Sequence, residues 1–197
     1  MVFVESVAGH SFTDGVAAIM GGGITIDPIA PSEEQKVIEL IKKNLRSFSE
    51  AGTVLASTFR RLERLHDIYQ APGSTFLVVR ELDNPGEPIG SAGIGPMAAL
   101  PPSEGIGEIR EVVVDESYRG KGIGRTLLER CLVEARRFGY KRIYLEATPQ
   151  MEKAQKLFLS FGFKPVQQKR SEEGKPVDDT GFPCYYLLDL SELKSNP

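Results

Sequence analysis

The segment Val112-Val113-Val114-Asp115-Glu116-Ser117-Tyr118-Arg119-Gly120-Lys121-Gly122-Ile123-Gly124-Arg125 constrains this chain more than any other stretch. Its β-branched run predicts a strand, and that strand runs into a glycine-rich turn that opens a helix. Glycine adopts backbone conformations that a Cβ forbids and lets a ligand come close to the main chain. The first turn of a helix carries N–H groups without intrahelical acceptors, at the positive end of the dipole. Together they make an anion seat suited to a phosphate or pyrophosphate. Arg119, Lys121 and Arg125 add positive charge there, in a chain with 24 Lys plus Arg, 27 Asp plus Glu and a formal net charge of -3. That mild acidity argues against nucleic acid as a partner, since a nucleic-acid surface needs a basic stripe.

Two familiar phosphate patterns fail. A P-loop needs Gly-x4-Gly-Lys-[Ser/Thr], but Gly120-Lys121 is followed by Gly122, and Asp115 stands where the first glycine belongs. The dinucleotide pattern GxGxxG fails because Leu127 occupies its third glycine position after Gly122 and Gly124. A GxSxG nucleophile elbow is absent.

The chain has 197 residues, the length of one domain, with 41% hydrophobic and 26% charged residues. Residues 1–23 show no strong period and end in Gly21-Gly22-Gly23, so they are expected to form a separate extension before a single domain at 24–197. Within that domain a strand is expected at Ile24–Ile29, then a helix with Ser32 as candidate N-cap. A second helix is expected over Val54–Tyr69, and Asp83-Asn84-Pro85-Gly86 supplies the turn of a hairpin between Phe76–Val79 and Pro88–Gly95. Strands at Glu108–Val114, Lys141–Ala147, Phe163–Val166 and Cys184–Leu190 alternate with helices at Ile123–Phe138 and Gln150–Phe161, the last two closed by Gly139 and Gly162. The fold class is α/β.

Cys131 and Cys184 form no CxxC pair, and His10 and His66 form no HExxH pattern, so no metal site is expected. Free thiols suit a reducing cytoplasm. No apolar run of about 18 residues predicts a membrane span, and the amino terminus lacks a secretory n-region.

Arg119-x-x-Gly122-x-Gly124 resembles the acetyl-CoA-binding motif of the GNAT superfamily of N-acetyltransferases. The stretch Ala154-Gln155-Lys156-Leu157-Phe158-Leu159-Ser160-Phe161-Gly162-Phe163 resembles that family's second signature, a helix ending in Gly-Phe before a strand. The resemblance implies a mixed, mostly antiparallel central sheet flanked by helices. It implies acetyl-CoA as donor, its pyrophosphate held by the amides of Arg119, Gly120, Lys121, Gly122, Ile123 and Gly124, with Arg125 reaching the phosphates. The pantetheine arm would pair with the backbone of Val112, Val113 and Val114 in the manner of an added strand. The thioester would lie where strands 108–114 and 141–147 part.

The acceptor is expected to be the primary amine of a small molecule or peptide, attacking directly and without a metal. Glu108 is the preferred general base, as the resemblance implies. Strand alternation puts it on one face with Arg110, Val112 and Val114, and points Glu111 the other way. Two departures stand out. Phe158 occupies the position of the family's usual proton-donating Tyr, and Met151 that of an Asn. Tyr185 or Tyr186 are substitutes for the missing acid. These departures keep open a CoA-binding sensor that has lost catalysis, and a third reading is transfer of another acyl group. Cys131 falls on an apolar helix face and reads as core. Homodimerisation is compatible with the resemblance.

Overall fold

The computed structural model describes residues 4–5, 11–12, 16–19, 22–45, 58–98, 100–166 and 184–193. Strands β1 (Val4–Glu5) and β2 (Ser11–Phe12) pair only with each other. The main sheet begins with β3 (Val16–Ile19) and β4 (Gly22–Pro28). The boundary expected at residue 23 therefore falls inside β4, and β3 carries the sheet into the amino-terminal segment.

Helix α1 (Glu34–Leu45) follows a 3-10 turn at Pro31–Glu33. The expected cap, Ser32, is displaced by Ala30, whose N–H donates to the Glu33 carboxylate at 2.9 Å. Arg80 Nε donates to the same carboxylate at 2.6 Å and ties the helix start to the sheet. The single helix expected over 54–69 is two among the described residues, α2 (58–62) and α3 (Leu65–Gln70). Arg64 leaves the helical region at φ -133° and ψ 31°, and its N–H turns back to the Arg61 carbonyl at 3.0 Å. Residues 54–57 lie outside the described residues.

Strands β5 (Thr75–Glu81) and β6 (Pro88–Pro96) form the expected hairpin, and β7 (Ile106–Val114) pairs antiparallel with β6. Helix α4 (Ile123–Arg137), β8 (Arg142–Ala147), α5 (Glu152–Ser160), β9 (Lys164–Pro165) and β10 (Cys184–Asp189) complete the order. Among the described residues the sheet has eight strands in the order β3-β4-β5-β6-β7-β8-β10-β9. Every recorded pairing is antiparallel except β7 with β8.

Helices cover both faces of this sheet, which is why Phe76-Leu77-Val78-Val79 is apolar without alternation. Leu77 and Val79 join the core under α4 and α5 with Ile94, Ile109, Leu127, Leu128 and Phe163. Phe76 and Val78 join the core under α1, α2 and α3 with Val37, Ile41, Leu62, Leu65 and Tyr69. The segment 167–183, expected to be an exposed connection, lies outside the described residues.

Candidate active site

The glycine loop is built as a strand-to-helix turn. Asp115 caps a 3-10 turn at Glu116–Tyr118, its carboxylate accepting the Ser117 N–H at 3.0 Å. Gly120 and Gly122 then adopt φ 80° and 90°, the left-handed region that disfavours any residue with a Cβ. Nothing lies within 4 Å of a Cβ built on either one, so the loop demands glycine for its backbone path and leaves open space beside it. Gly122 is the N-cap of α4 and its carbonyl accepts the Thr126 N–H at 3.1 Å. The N–H groups from Gly120 to Arg125 find no acceptor among the described residues. Such a row of donors at a helix start is an arrangement able to receive an anion.

The cations around the loop have separate tasks. Arg119 Nη2 donates to Asn44 Oδ1 at 2.8 Å and its Nε to the Val114 carbonyl at 3.1 Å. The Arg119 side chain thus clamps the loop to α1. Lys121 Nζ lies 4.7 Å from the Tyr118 ring centroid. The Arg125 guanidinium lies 4.9 Å from the Phe161 centroid and donates to Ser160 Oγ at 3.1 Å, joining the starts of α4 and the end of α5.

Strand β7 changes character midway. It pairs with β8 only from Ile106↔Arg142 to Ile109↔Leu145, so the two strands part beyond Ile109 as the resemblance implied. On the other side, Gly93 faces Arg110 and Ser91 faces Val113 across β6, which leaves Glu111 and Val112 together opposite Ala92. That is a β-bulge, and Glu111 takes φ 50° within it. The extra residue corrects the alternation expected from the sequence. Val112 and Val114 pack with Ile109 on the α4 side. Glu108, Arg110, Glu111 and Val113 belong to the α1–α3 side, as their partners show. Glu108 and Glu111 therefore share a side that simple alternation divides between them.

The two glutamates are held differently. Glu111 is enclosed, with its side chain 0% exposed; Oε1 accepts Arg61 Nε at 2.6 Å and Oε2 accepts the Tyr69 hydroxyl. Glu108 is 14% exposed at the side chain, and its nearest cation is Arg110, at 3.6 Å. Burial pushes its carboxyl above the ordinary carboxylate range, against the pull of Arg110 and Arg61, and Glu146 and Glu111 push the same way as burial. Tyr144 lies opposite Glu108 in the parallel pair, donates to Glu146 Oε1 at 2.8 Å and stacks on Tyr185 at 5.9 Å. The Arg110 guanidinium sits 5.5 Å over the Tyr69 ring, and its buried Nε finds no hydrogen-bond partner among the described residues.

Nothing in the sequence around Arg61 or Tyr69 marks either one as a partner of Glu111. The available signal was glycine inside a strand, which marks a bulge or a close approach. A Cβ at Gly93 would collide with the Tyr69 ring and hydroxyl, and one at Gly95 would meet Arg110 Nη2 at 2.8 Å.

Phe158 is buried in the core, 6.1 Å from Phe163 and 5.9 Å from Tyr186 between ring centroids. The Tyr186 hydroxyl beside it donates to Gln155 Oε1 at 2.9 Å, while Tyr185 lies across the sheet against Tyr144. Met151 is the first residue before α5 and offers no side-chain cap. Cys131 is fully buried and burial pushes its thiol up to about 12, consistent with a core residue. Glu104 faces Arg142 at 3.6 Å. Among the described residues there is no group of His, Cys, Asp and Glu able to hold a metal, and no helix long and apolar enough to cross a membrane.

The comparisons agree with this geometry. The model of the Acetyltransferase (GNAT) family matches residues 39–163. An uncharacterized N-acetyltransferase of Escherichia coli, YjgM, is 31% identical over 131 residues, covering 66% of this chain and 74% of that protein. The N-alpha-acetyltransferase RimI of Mycobacterium tuberculosis is 39% identical over 82 residues, 42% of this chain and 49% of its own length. Among solved structures, the Salmonella typhimurium putative acetyltransferase YncA with its cofactor acetyl-CoA superposes with a TM-score of 0.66 at 25% identity, covering 88% of this chain and 98% of that one. With its glycine turn, parted strands and family match over most of the domain, the chain belongs to the GNAT acetyltransferase family.

Proposed function

We propose that the protein transfers an acetyl group from acetyl-CoA to a primary amine of a small molecule or peptide, by direct attack and with Glu108 as general base. The observation that carries this reading is the meeting of two features. The unpaired amides of Gly120–Arg125 lie just past the end of the strand that leaves β8 at Ile109. Acetyl-CoA, when bound, supplies the thioester carbonyl that the amine attacks. The loop amides hold its phosphates, with Arg125 beside them, and the unpaired flank of Val112–Val114 receives its extended arm.

Glu108 takes the proton that the amine must lose. A raised carboxyl is the better base for that task, because proton transfer is most efficient when the pKa approaches the working pH. Glu111 has both oxygens engaged and no exposure, so it is not available to an acceptor. A β7 backbone N–H at the bulge is the candidate donor to the developing oxyanion. Tyr186, with its hydroxyl on the Phe158 side, is the candidate donor to the departing thiolate.

The second reading, a CoA binder without turnover, rests on Phe158, which has no proton to give. Tyr186→Phe separates the two in an assay of acetyl transfer to a panel of primary amines. Turnover by the wild type that falls about tenfold or more in the variant supports transfer with Tyr186 as acid. Micromolar acetyl-CoA binding with no turnover on any amine supports the second reading.

A further inference from the structure

We propose that Glu111, Arg61 and Tyr69 form a positioning device that fixes the point where β7 leaves β8, and with it the alignment of the transfer cleft. The inference deepens the proposed function and rests on its reading of the cleft. Three observations converge on one residue. Glu111 is the one non-glycine residue recorded with a positive φ among those described. Such a conformation is strained in a residue with a Cβ and persists only where neighbours over-determine it. It lies in the bulge, two positions past the last β7–β8 pair, where the sheet opens.

The neighbours that hold it come from three elements. Arg61 on α2 donates to Oε1 at 2.6 Å, and Tyr69 on α3 donates its hydroxyl to Oε2. Ser91 on β6 donates Oγ to the Glu111 main-chain carbonyl at 3.2 Å. Arg61 is itself held by Thr58, its Nη2 donating to Oγ1 at 3.1 Å. Tyr69 reaches Glu111 only because Gly93 has no side chain to block it. The buried ion pairs of Glu134 behave differently. Glu134 is paired with Arg130 and Arg137 within α4 alone, and no strand end depends on it. Glu111 instead joins α2, α3 and β6 to the bend in β7. It acts through the backbone and is a positioning residue; Glu108 is left as the carboxylate that meets the amine.

The test uses Tyr69→Phe and Glu111→Gln in the full chain. Glu111→Gln keeps an acceptor for Tyr69 and removes the charge that holds Arg61. Amide hydrogen exchange is read residue by residue, and acetyl transfer is read with a panel of primary amines. Tyr69→Phe is expected to speed exchange at Arg110–Val114 by about tenfold or more while Leu127–Cys131 in α4 keep their rates. Transfer is expected to lose about 10–100-fold in kcat, with a smaller rise in the acetyl-CoA KM, because the phosphate loop lies outside the device while Val112–Val114 lie beside it. A fall in Tm with exchange raised evenly across the sheet and kcat unchanged would overturn the proposal and leave an ordinary structural ion pair. Should Glu111→Gln fail to fold, Tyr69→Phe decides alone. Should the wild type acetylate no amine, the transfer reading falls, and unchanged exchange at Arg110–Val114 in Tyr69→Phe still overturns this one.

Discussion

The two halves of the cleft are built from different materials. The half proposed to receive acetyl-CoA is backbone: two left-handed glycines, the amides of Gly120–Arg125 that find no acceptor among the described residues, and a strand flank freed from its neighbour. The half proposed to face the amine is side chains: Glu108, Arg110, Tyr144 and Glu146 over a floor set by Tyr69 and Glu111. A backbone seat tolerates changes in side chain as long as the chain path survives. A side-chain site changes its chemistry with a single substitution. The difference teaches where variants should act on binding and where on turnover.

The largest expected effect is on the amine side. Glu108→Gln should lower kcat by about 100–1,000-fold at neutral pH, with acetyl-CoA affinity within about twofold of wild type in calorimetry. Equal turnover would remove Glu108 from the chemistry. On the other side, Gly122→Glu forces a charged side chain into a left-handed position beside the anion seat. Calorimetry should show acetyl-CoA affinity down about 100-fold or more, while circular dichroism keeps the folded signal with a lowered Tm, since the added Cβ meets no atom within 4 Å but is strained at φ 90°.

The pH profile sharpens the comparison. A base acts once deprotonated, so kcat/KM should rise with pH through a limb set by Glu108, centred above the ordinary carboxylate range because burial raises that carboxyl. The charges facing it are Arg110, Arg61, Glu146 and Glu111, with Tyr144 alongside. Arg110 holds the carboxyl down, so Arg110→Met should move the limb to higher pH, by on the order of one unit. A limb that stays in place would mean that another group titrates in it. The smallest effect belongs to Arg119. Its side chain clamps the loop to Asn44 and Val114, so Arg119→Met should destabilise by about 1 kcal/mol in urea melts and weaken acetyl-CoA binding only a few-fold.

The backbone half was the more legible in sequence, for the reason that makes it work. A glycine turn between a β-branched run and an amphipathic helix is a local pattern, and local patterns survive reading from one chain. The paired strands, the helices α4 and α5 and the buried Cys131 follow from the same periodicities. The side-chain half depends on contacts far apart in sequence. Arg61 and Glu111 are fifty positions apart, and nothing local to either announces the pair. The bulge is invisible to strict alternation, because Glu111 is no glycine and stands between Arg110 and Val112 with no turn residue beside it. The break in the helix expected at 54–69 is likewise a matter of one residue, Arg64, whose type favours helix. Gly93 and Gly95 were the local traces of this region, strand glycines that make room for Tyr69 and Arg110.

The central claim is that acetyl-CoA is held by the backbone of the glycine turn and of the parted strand. The most direct measurement is a nitrogen–proton correlation NMR titration of the assigned protein with acetyl-CoA. The account predicts that the largest amide shifts fall on Gly120–Arg125 and Val112–Val114, saturating together, with α1 and β4 near zero. Saturable shifts centred elsewhere, with the Gly120–Arg125 amides unmoved, would contradict it.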